Sequence, residues 1–235
     1  MKSLFRACAA ALCLLLAACA PLPPAPVAGP PDSIWQDWSH QSLPGKTPTL
    51  FKNVRIDGRD AIAVDARSSA SLLRHKLRVE PEGLGALRFS WKVPALMEDA
   101  DLATREKDDA PVRLVLVFEG DRSRFSARDA ALSELARMLT GEEMPYATLM
   151  YVWCNRREPG TVITSPRTDR IRKLVVESGR THLNEWREYE RDIRADYLRA
   201  FGEEPGALVG MAIMTDSDNT RSRARAWYGP VKVAQ

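Results

Sequence analysis

The chain has 235 residues, 34 basic and 31 acidic side chains, a formal charge of +3 and 45% hydrophobic residues. Nothing in that balance marks a nucleic-acid binder, and four cysteines are too few for a disulfide scaffold. The length suits one domain of about 200 residues behind an N-terminal leader.

The leader reads as an export signal. Lys2 and Arg6 precede an uncharged apolar run, Ala7 to Ala18, which is too short for the ~20 residues of a membrane span. It ends in Leu16-Ala17-Ala18-Cys19, the pattern of a bacterial lipobox, which predicts removal of residues 1–18 and a lipid on Cys19. Each buried methylene adds ~0.8 kcal/mol to such an anchor. Ala20 rather than Asp follows the cysteine, which points to the outer membrane, facing the periplasm. Residues 19–31 carry Pro21, Pro23, Pro24, Pro26, Pro30 and Pro31 and read as an extended tether. Losing residues 1–18 removes two of the 34 basic side chains and none of the 31 acidic ones, so the +3 falls to near +1. With Cys8 and Cys13 in the signal and Cys19 acylated, only Cys154 remains, and no internal disulfide is expected.

Residues 32–235 read as one all-β domain with two short helical insertions, an antiparallel β-sandwich of jelly-roll type. Short alternating segments are broken by Gly, Pro, Asp and Asn. They predict strands over 51–56, 61–66, 71–77, 86–93, 112–118, 148–154, 171–177, 186–192, 208–215 and 225–233. In the fifth, Leu114, Leu116 and Phe118 share one face. Several strands are apolar on both faces, which suits a sheet covered on its second side. Ser126 to Asp129 has the form of a capping box, Leu132, Leu135, Ala136 and Leu139 follow at helical spacing, and Gly141 closes the run. A second helix is expected over 194–201, ending at Gly202. Both are expected to cover sheet edges or ends.

The segments Ser90-Trp91-Lys92-Val93, Lys107 to Arg113, Tyr151-Val152-Trp153, Asp196-Tyr197, Phe201-Gly202 and Met214 to Thr220 resemble an uncharacterised bacterial envelope family, catalogued as a domain of unknown function. The likeness spans about residues 50 to 233. It implies a β-sandwich similar to galactose-binding and carbohydrate-binding modules, and it brings no catalytic residues.

No Gly-x-Ser-x-Gly, His-Glu-x-x-His, Cys-x-x-Cys or phosphate loop is present. Gly83-Leu84-Gly85 marks a turn, and His40, His75 and His182 lack metal-ligand spacing. Cys154 alternates with Met150 and Val152 and reads as a small core residue. Asp216-Ser217-Asp218-Asn219-Thr220 is the densest oxygen cluster; it reads first as a turn, with calcium the sharper alternative. Asp108 and Asp109 precede Arg113, which can pair with either of them or with Asp216. The same carboxylates would have to face each other across a groove to serve glycoside cleavage. Tyr151 and Trp153 share a strand face, as do Arg225 and Trp227, and each pair either floors a saccharide site or fills the core. Arg221, Arg223 and Arg225 recur at spacing two, as on a charged edge strand, with contact to lipid-headgroup phosphates or an anionic glycan the sharper alternative. The tentative ligand set is therefore Tyr151, Trp153, Asp108, Asp109, Arg113, Asp216, Asp218 and Asn219. No cofactor is expected beyond that calcium ion, and the partners expected are a membrane, through the lipid, and a saccharide. A glycan-active enzyme or a protein scaffold is the alternative.

Overall fold

The computed structural model describes residues 35–234; the signal segment 1–18, Cys19 and the tether 19–31 lie outside the described residues. In chain order the strands are β1 (Trp38–Ser42), β2 (Leu50–Ile56), β3 (Arg59–Arg67), β4 (Ser71–Val79), β5 (Ala86–Lys92), β6 (Arg113–Phe118) and β7 (Ala147–Cys154). There follow β8 (Val162–Thr164), β9 (Ile171–Ser178), β10 (Trp186–Asp192), β11 (Leu208–Met214), β12 (Arg223–Tyr228) and β13 (Lys232–Val233). Helix α1 (Ala127–Thr140) lies between β6 and β7, and α2 (Ile193–Phe201) between β10 and β11. A seven-stranded sheet runs β1-β4-β11-β6-β7-β9-β8, and a six-stranded sheet runs β10-β5-β12-β3-β2 with β13 also paired to β5. The two form a β-sandwich of jelly-roll type.

Alternation decides which side chains meet between the sheets. Leu114, Leu116 and Phe118 from β6 and Leu149, Tyr151 and Trp153 from β7 face Leu87, Phe89 and Trp91 of β5 and Tyr228 of β12 in one core. Over β7, β8 and β9 the opposite face of the seven-stranded sheet is also buried, while Lys76 and Arg78 of β4 stay exposed on it. Val152 and Cys154 of β7 and Val175 of β9 pack with Ile163 of β8 and with Leu102 and Ala110 from the connection 93–112. That connection lies over the sheet like a flap, which explains why β6 and β7 are apolar on both faces.

Three expectations are corrected. The sheet is not wholly antiparallel: β9 runs parallel to β7, Thr148 opposite Ile171, while β8 pairs antiparallel with β9. Residues 155–170 between them supply the dozen or more that a parallel return needs. The strand expected at 225–233 divides at Gly229-Pro230 into β12 and β13; β12 pairs with β3 along its length but with β5 only at Trp227 and Tyr228, so Arg223 and Arg225 keep the one-sided pairing expected of an edge. Helix α1 starts and stops as expected, with Ser126 Oγ accepting from the Asp129 N–H (3.1 Å) and Gly141 at φ 76°, but it does not bury its apolar side. Leu135, Met138 and Leu139 are 50%, 74% and 62% exposed. Its inward side is Asp129 and Ser133, with the Thr168 hydroxyl bonded to the Asp129 carboxylate.

Helix α2 does what was expected of a cover. Asp192 caps it by accepting from Ala195 N–H (2.9 Å), and it packs against β9 and β10. Tyr197 meets Phe118 edge-on and stacks on Phe201, with ring centroids 4.7 and 4.5 Å away. Asp196 accepts from the Tyr151 hydroxyl at 2.9 Å and from Arg191 Nε at 2.8 Å, which ties the helix to both sheets.

These burials set an order of stabilities. Trp153→Ala empties a core position and is expected to cost ~3–5 kcal/mol, whereas Leu139→Ser on α1 stays within ~0.5 kcal/mol. Urea unfolding of the two variants checks this, and a larger loss at Leu139 would show that α1 packs against the body.

Candidate functional site

Five of the residues singled out in the sequence converge, as a buried network. Arg113 emerges from the outer face of β6, where water is excluded by the 93–112 flap. Its Nε and Nη2 fork onto Asp216 (2.8 and 2.9 Å), and Nη2 also donates to Asp108 Oδ1 (3.0 Å) and the Asp108 carbonyl (2.8 Å). Lys173 of β9 completes the group, donating to Asp108 Oδ2 and the Leu102 carbonyl, both at 2.6 Å. Asp109 turns the other way. It accepts from Asn219 N–H and Nδ2 (3.2 and 2.9 Å) and from the Thr220 N–H and hydroxyl (2.7 and 2.6 Å). The flap and the Asp216–Thr220 turn are thus stitched to one another and to the sheet.

Charge follows burial. For Arg113, burial works against the cation, and Asp216 and Asp108 reverse that and hold it above its ordinary range. Burial alone would raise Asp108, but Arg113 and Lys173 outweigh it and keep the carboxyl below the usual range. Burial lifts Asp216 to about 6 against the pull of Arg113, so the pair is ionised at neutral pH. Burial, with Arg113 nearby, brings Lys173 down to about 8.

The geometry gives these residues structural work. Asp109, Asp216 and Asp218 do bring carboxylate oxygens within 4.8 Å of one another. Those oxygens already receive Asn219 and Thr220, Arg113, and Lys46, which bonds Asp218. Calcium takes six to eight oxygens, and each of these three carboxylates already has a protein donor, a cation for Asp216 and Asp218. Tyr151 and Trp153 are corrected as well. Both are wholly buried in the core, the indole N–H donating to the Gly179 carbonyl at 3.0 Å, so they form no open platform.

An open aromatic surface exists elsewhere, on the outer face of the six-stranded sheet. In β12 the side chains of Ala224, Ala226 and Tyr228 point inward, leaving Arg223, Arg225 and half-buried Trp227 outward. Trp227 lies opposite Lys92 on one side and Ala63 on the other; Lys92 lies opposite Trp186, and Ala63 opposite Lys52. One row therefore reads Trp186, Lys92, Trp227, Ala63, Lys52. The indoles stand two strand spacings apart, about 10 Å. Trp186 is fixed by its N–H to Asp57 (3.0 Å) and by the Arg59 guanidinium 5.3 Å from its ring. Two depressions flank the row. One of about 180 Å³ is lined by Leu50, Lys52, Ala63, Asp65, Arg225 and Trp227. A wider one of about 540 Å³ is lined by Arg59, Arg88, Ser90, Glu188, Glu190 and Lys232, among others. The pairing of Trp227 with Arg225 was legible from the alternation; Trp186 was missed, although it opens the alternating segment Trp186–Asp192.

Fold and surface together define a β-sandwich that keeps one sheet face open and sets tryptophans among charged side chains there. The family described as "Protein of unknown function (DUF3047)" matches residues 36–232, and the chain belongs to it. No curated protein sequence matches the chain. Among solved structures, the chain is similar to a family 11 carbohydrate-binding module of a Clostridium thermocellum cellulosomal cellulase, at 9% identity, TM-score 0.40, covering 84% of this chain and 86% of that one. It is similar to the xyloglucanase domain of the Sinorhizobium fredii effector NopAA (10% identity, TM-score 0.43, 84% and 92% covered). It is also similar to endoglucanase 3 of Trichoderma harzianum (8% identity, TM-score 0.44, 84% and 91% covered). At these values the likeness is one of fold alone.

Arg113→Ala would strand Asp216 and Asp108 without their cation, and is expected to cost ~3–5 kcal/mol in urea unfolding. A loss below ~1 kcal/mol would show that the flap is held by its apolar contacts. On the open face, Arg223 and Arg67 outweigh burial and hold Asp65 at about 2, below the ~3.9 of an unfolded chain. Its contribution is therefore present above pH ~4 and lost as pH falls through ~2. Asp65→Asn is expected to lower the urea midpoint at pH 7 and to leave it level with the parent near pH 2; a deficit equal at both would exclude this linkage.

Proposed function

We propose that the open face of the six-stranded sheet receives a saccharide, and that the protein is a non-catalytic binding domain held in the cell envelope by a lipid on Cys19, on the outer membrane and facing the periplasm. The observation that carries the reading is the row in which Trp186 and Trp227 are both half-buried on an otherwise charged sheet face. A sugar ring has an apolar C–H face that lies flat on an indole and a hydroxyl rim that bonds to Arg, Lys, Asp and Glu. Aromatic floors with a few placed polar groups are how ligand sites combine area with orientation. The depressions are shallow and open along the sheet, which suits a chain resting across the surface.

The carboxylates that would serve cleavage are spoken for: Asp108, Asp109 and Asp216 are buried against protein donors, and Asp218 holds Lys46. A second reading, a scaffold for a protein partner, has one observation in its favour, the exposed Leu135, Met138 and Leu139 on α1.

Calorimetric titration of the protein with envelope and plant oligosaccharides tests the reading. Trp227→Ala should weaken binding at least about tenfold, as loss of a central tryptophan commonly does, while Leu135→Ser leaves it unchanged. Saccharide affinity that survives Trp227→Ala intact would place the site elsewhere. A protein partner that cross-links to the parent and to Trp227→Ala, but not to Leu135→Ser, would favour the scaffold.

A further inference from the structure

We infer that the saccharide received at Trp227 is an anionic one, a sugar acid whose carboxylate is held between Lys52 and Arg225 across β3; this rests on the saccharide reading of that face. The argument begins with how the charges of the sheet face are spent. Asp65 accepts from Arg223 Nε and Nη2 (2.9 and 2.8 Å) and from Arg67 Nη2 (3.0 Å). Glu188 holds Arg59 at 2.5 Å, Glu190 holds Arg88 at 2.9 Å, and Asp57 holds Lys92 at 2.9 Å. Each carboxylate on this face that borders the tryptophan row or its depressions is thereby matched to a cation.

Three cations lining the depressions are left over, Lys232 in the wider one and, lying together beside Trp227, Lys52 and Arg225. Among the described residues neither Lys52 nor Arg225 has an ion-pair or hydrogen-bond partner, and both line the depression with Trp227. They stand on β2 and β12, the two strands flanking β3, with Lys52 opposite Ala63 and Arg225 opposite Asp65, on a diagonal across β3. Two strand spacings and an offset of two residues put their backbones about 12 Å apart, within reach of two long side chains closing on one group. Asp65 beside them carries two arginines, so the depression keeps a cationic excess in spite of its carboxylate. An indole floor with a guanidinium and an ammonium at its rim matches a pyranose that bears a carboxylate. Arg binds that group through a planar fork, Lys as a point charge. The exposure of both cations predicts that the affinity falls as salt is raised.

The test is titration of the protein with an oligogalacturonate and with a neutral β-linked glucan oligomer of equal length, with inorganic phosphate and anionic phospholipid vesicles as competitors. The expected result is at least tenfold tighter binding of the uronate, abolished in the double variant Lys52→Gln with Arg225→Gln and indifferent to millimolar phosphate. Trp227→Ala should weaken both sugars. Equal binding of the two sugars, unchanged in the double variant, would overturn the anionic preference and leave the saccharide reading standing. Binding of neither sugar would overturn both. Displacement of the uronate by phosphate, or vesicle binding lost in the double variant, would show a general anion site in place of a sugar-acid site. The substituted positions lie on the open sheet face, so urea midpoints equal to the parent's confirm that the variants report recognition rather than folding.

Discussion

The rest of the structure depends on the fork of Arg113 onto Asp216 and Asp108. Without it the 20-residue stretch 93–112, which covers Val152, Cys154 and Val175, would lose its tie to β6 and keep its bonds to Lys173, Asn155, Arg157, Asn219 and Thr220. Burying so many charges is expensive unless each is paired, and here each is. Asp108 meets Arg113 and Lys173, Asp216 meets Arg113 and a backbone N–H, and Asp109 meets four donors. The network gives register more than raw stability, because only one placement of the flap satisfies all of these groups.

An asymmetry between the sheets follows. The seven-stranded sheet is covered by the core on one face and, over β7 to β9, by the flap on the other, with β4 left exposed there. The six-stranded sheet is covered on one, and its free face carries Trp186, Trp227 and a lattice of matched ion pairs. Surface ion pairs of this kind add little stability. Their effect is to fix long side chains in place around the indoles and to leave Lys52 and Arg225, beside Trp227, and Lys232, in the wider depression, uncommitted. The packing that closes part of one outer face thus leaves the other open for the proposed saccharide.

Much of this was legible in the sequence. Alternation located most of the strands, the Ser126 cap and Gly141 bounded α1, and Arg113 was already an evident partner for Asp108 and Asp216. What escaped has physical causes. β1 is a polar five-residue strand, and β8 has three residues, too short for any period. The parallel return of β9 depends on a long connection, which pattern alone does not orient. Tyr151 and Trp153 share a face, but period two does not say which face is the core; here the inner one holds the aromatics and the outer one Met150, Val152 and Cys154. Lys173 reads as an exposed strand lysine until one notices that it shares the parity of Val175. The helical spacing on α1 signalled a helix correctly and its burial wrongly, since Asp129 and Ser133 hold the inward side.

The central claim is that recognition belongs to the open face of the six-stranded sheet. The most direct measurement follows the tryptophan indole N–H resonances by NMR while an oligosaccharide is titrated in. The account predicts that the signals of Trp227 and Trp186 move with saturation, while those of the buried Trp91 and Trp153 stay in place. Saturable shifts confined to the Asp108–Arg113 and Asp216–Thr220 segments, with Trp227 and Trp186 unmoved, would contradict it.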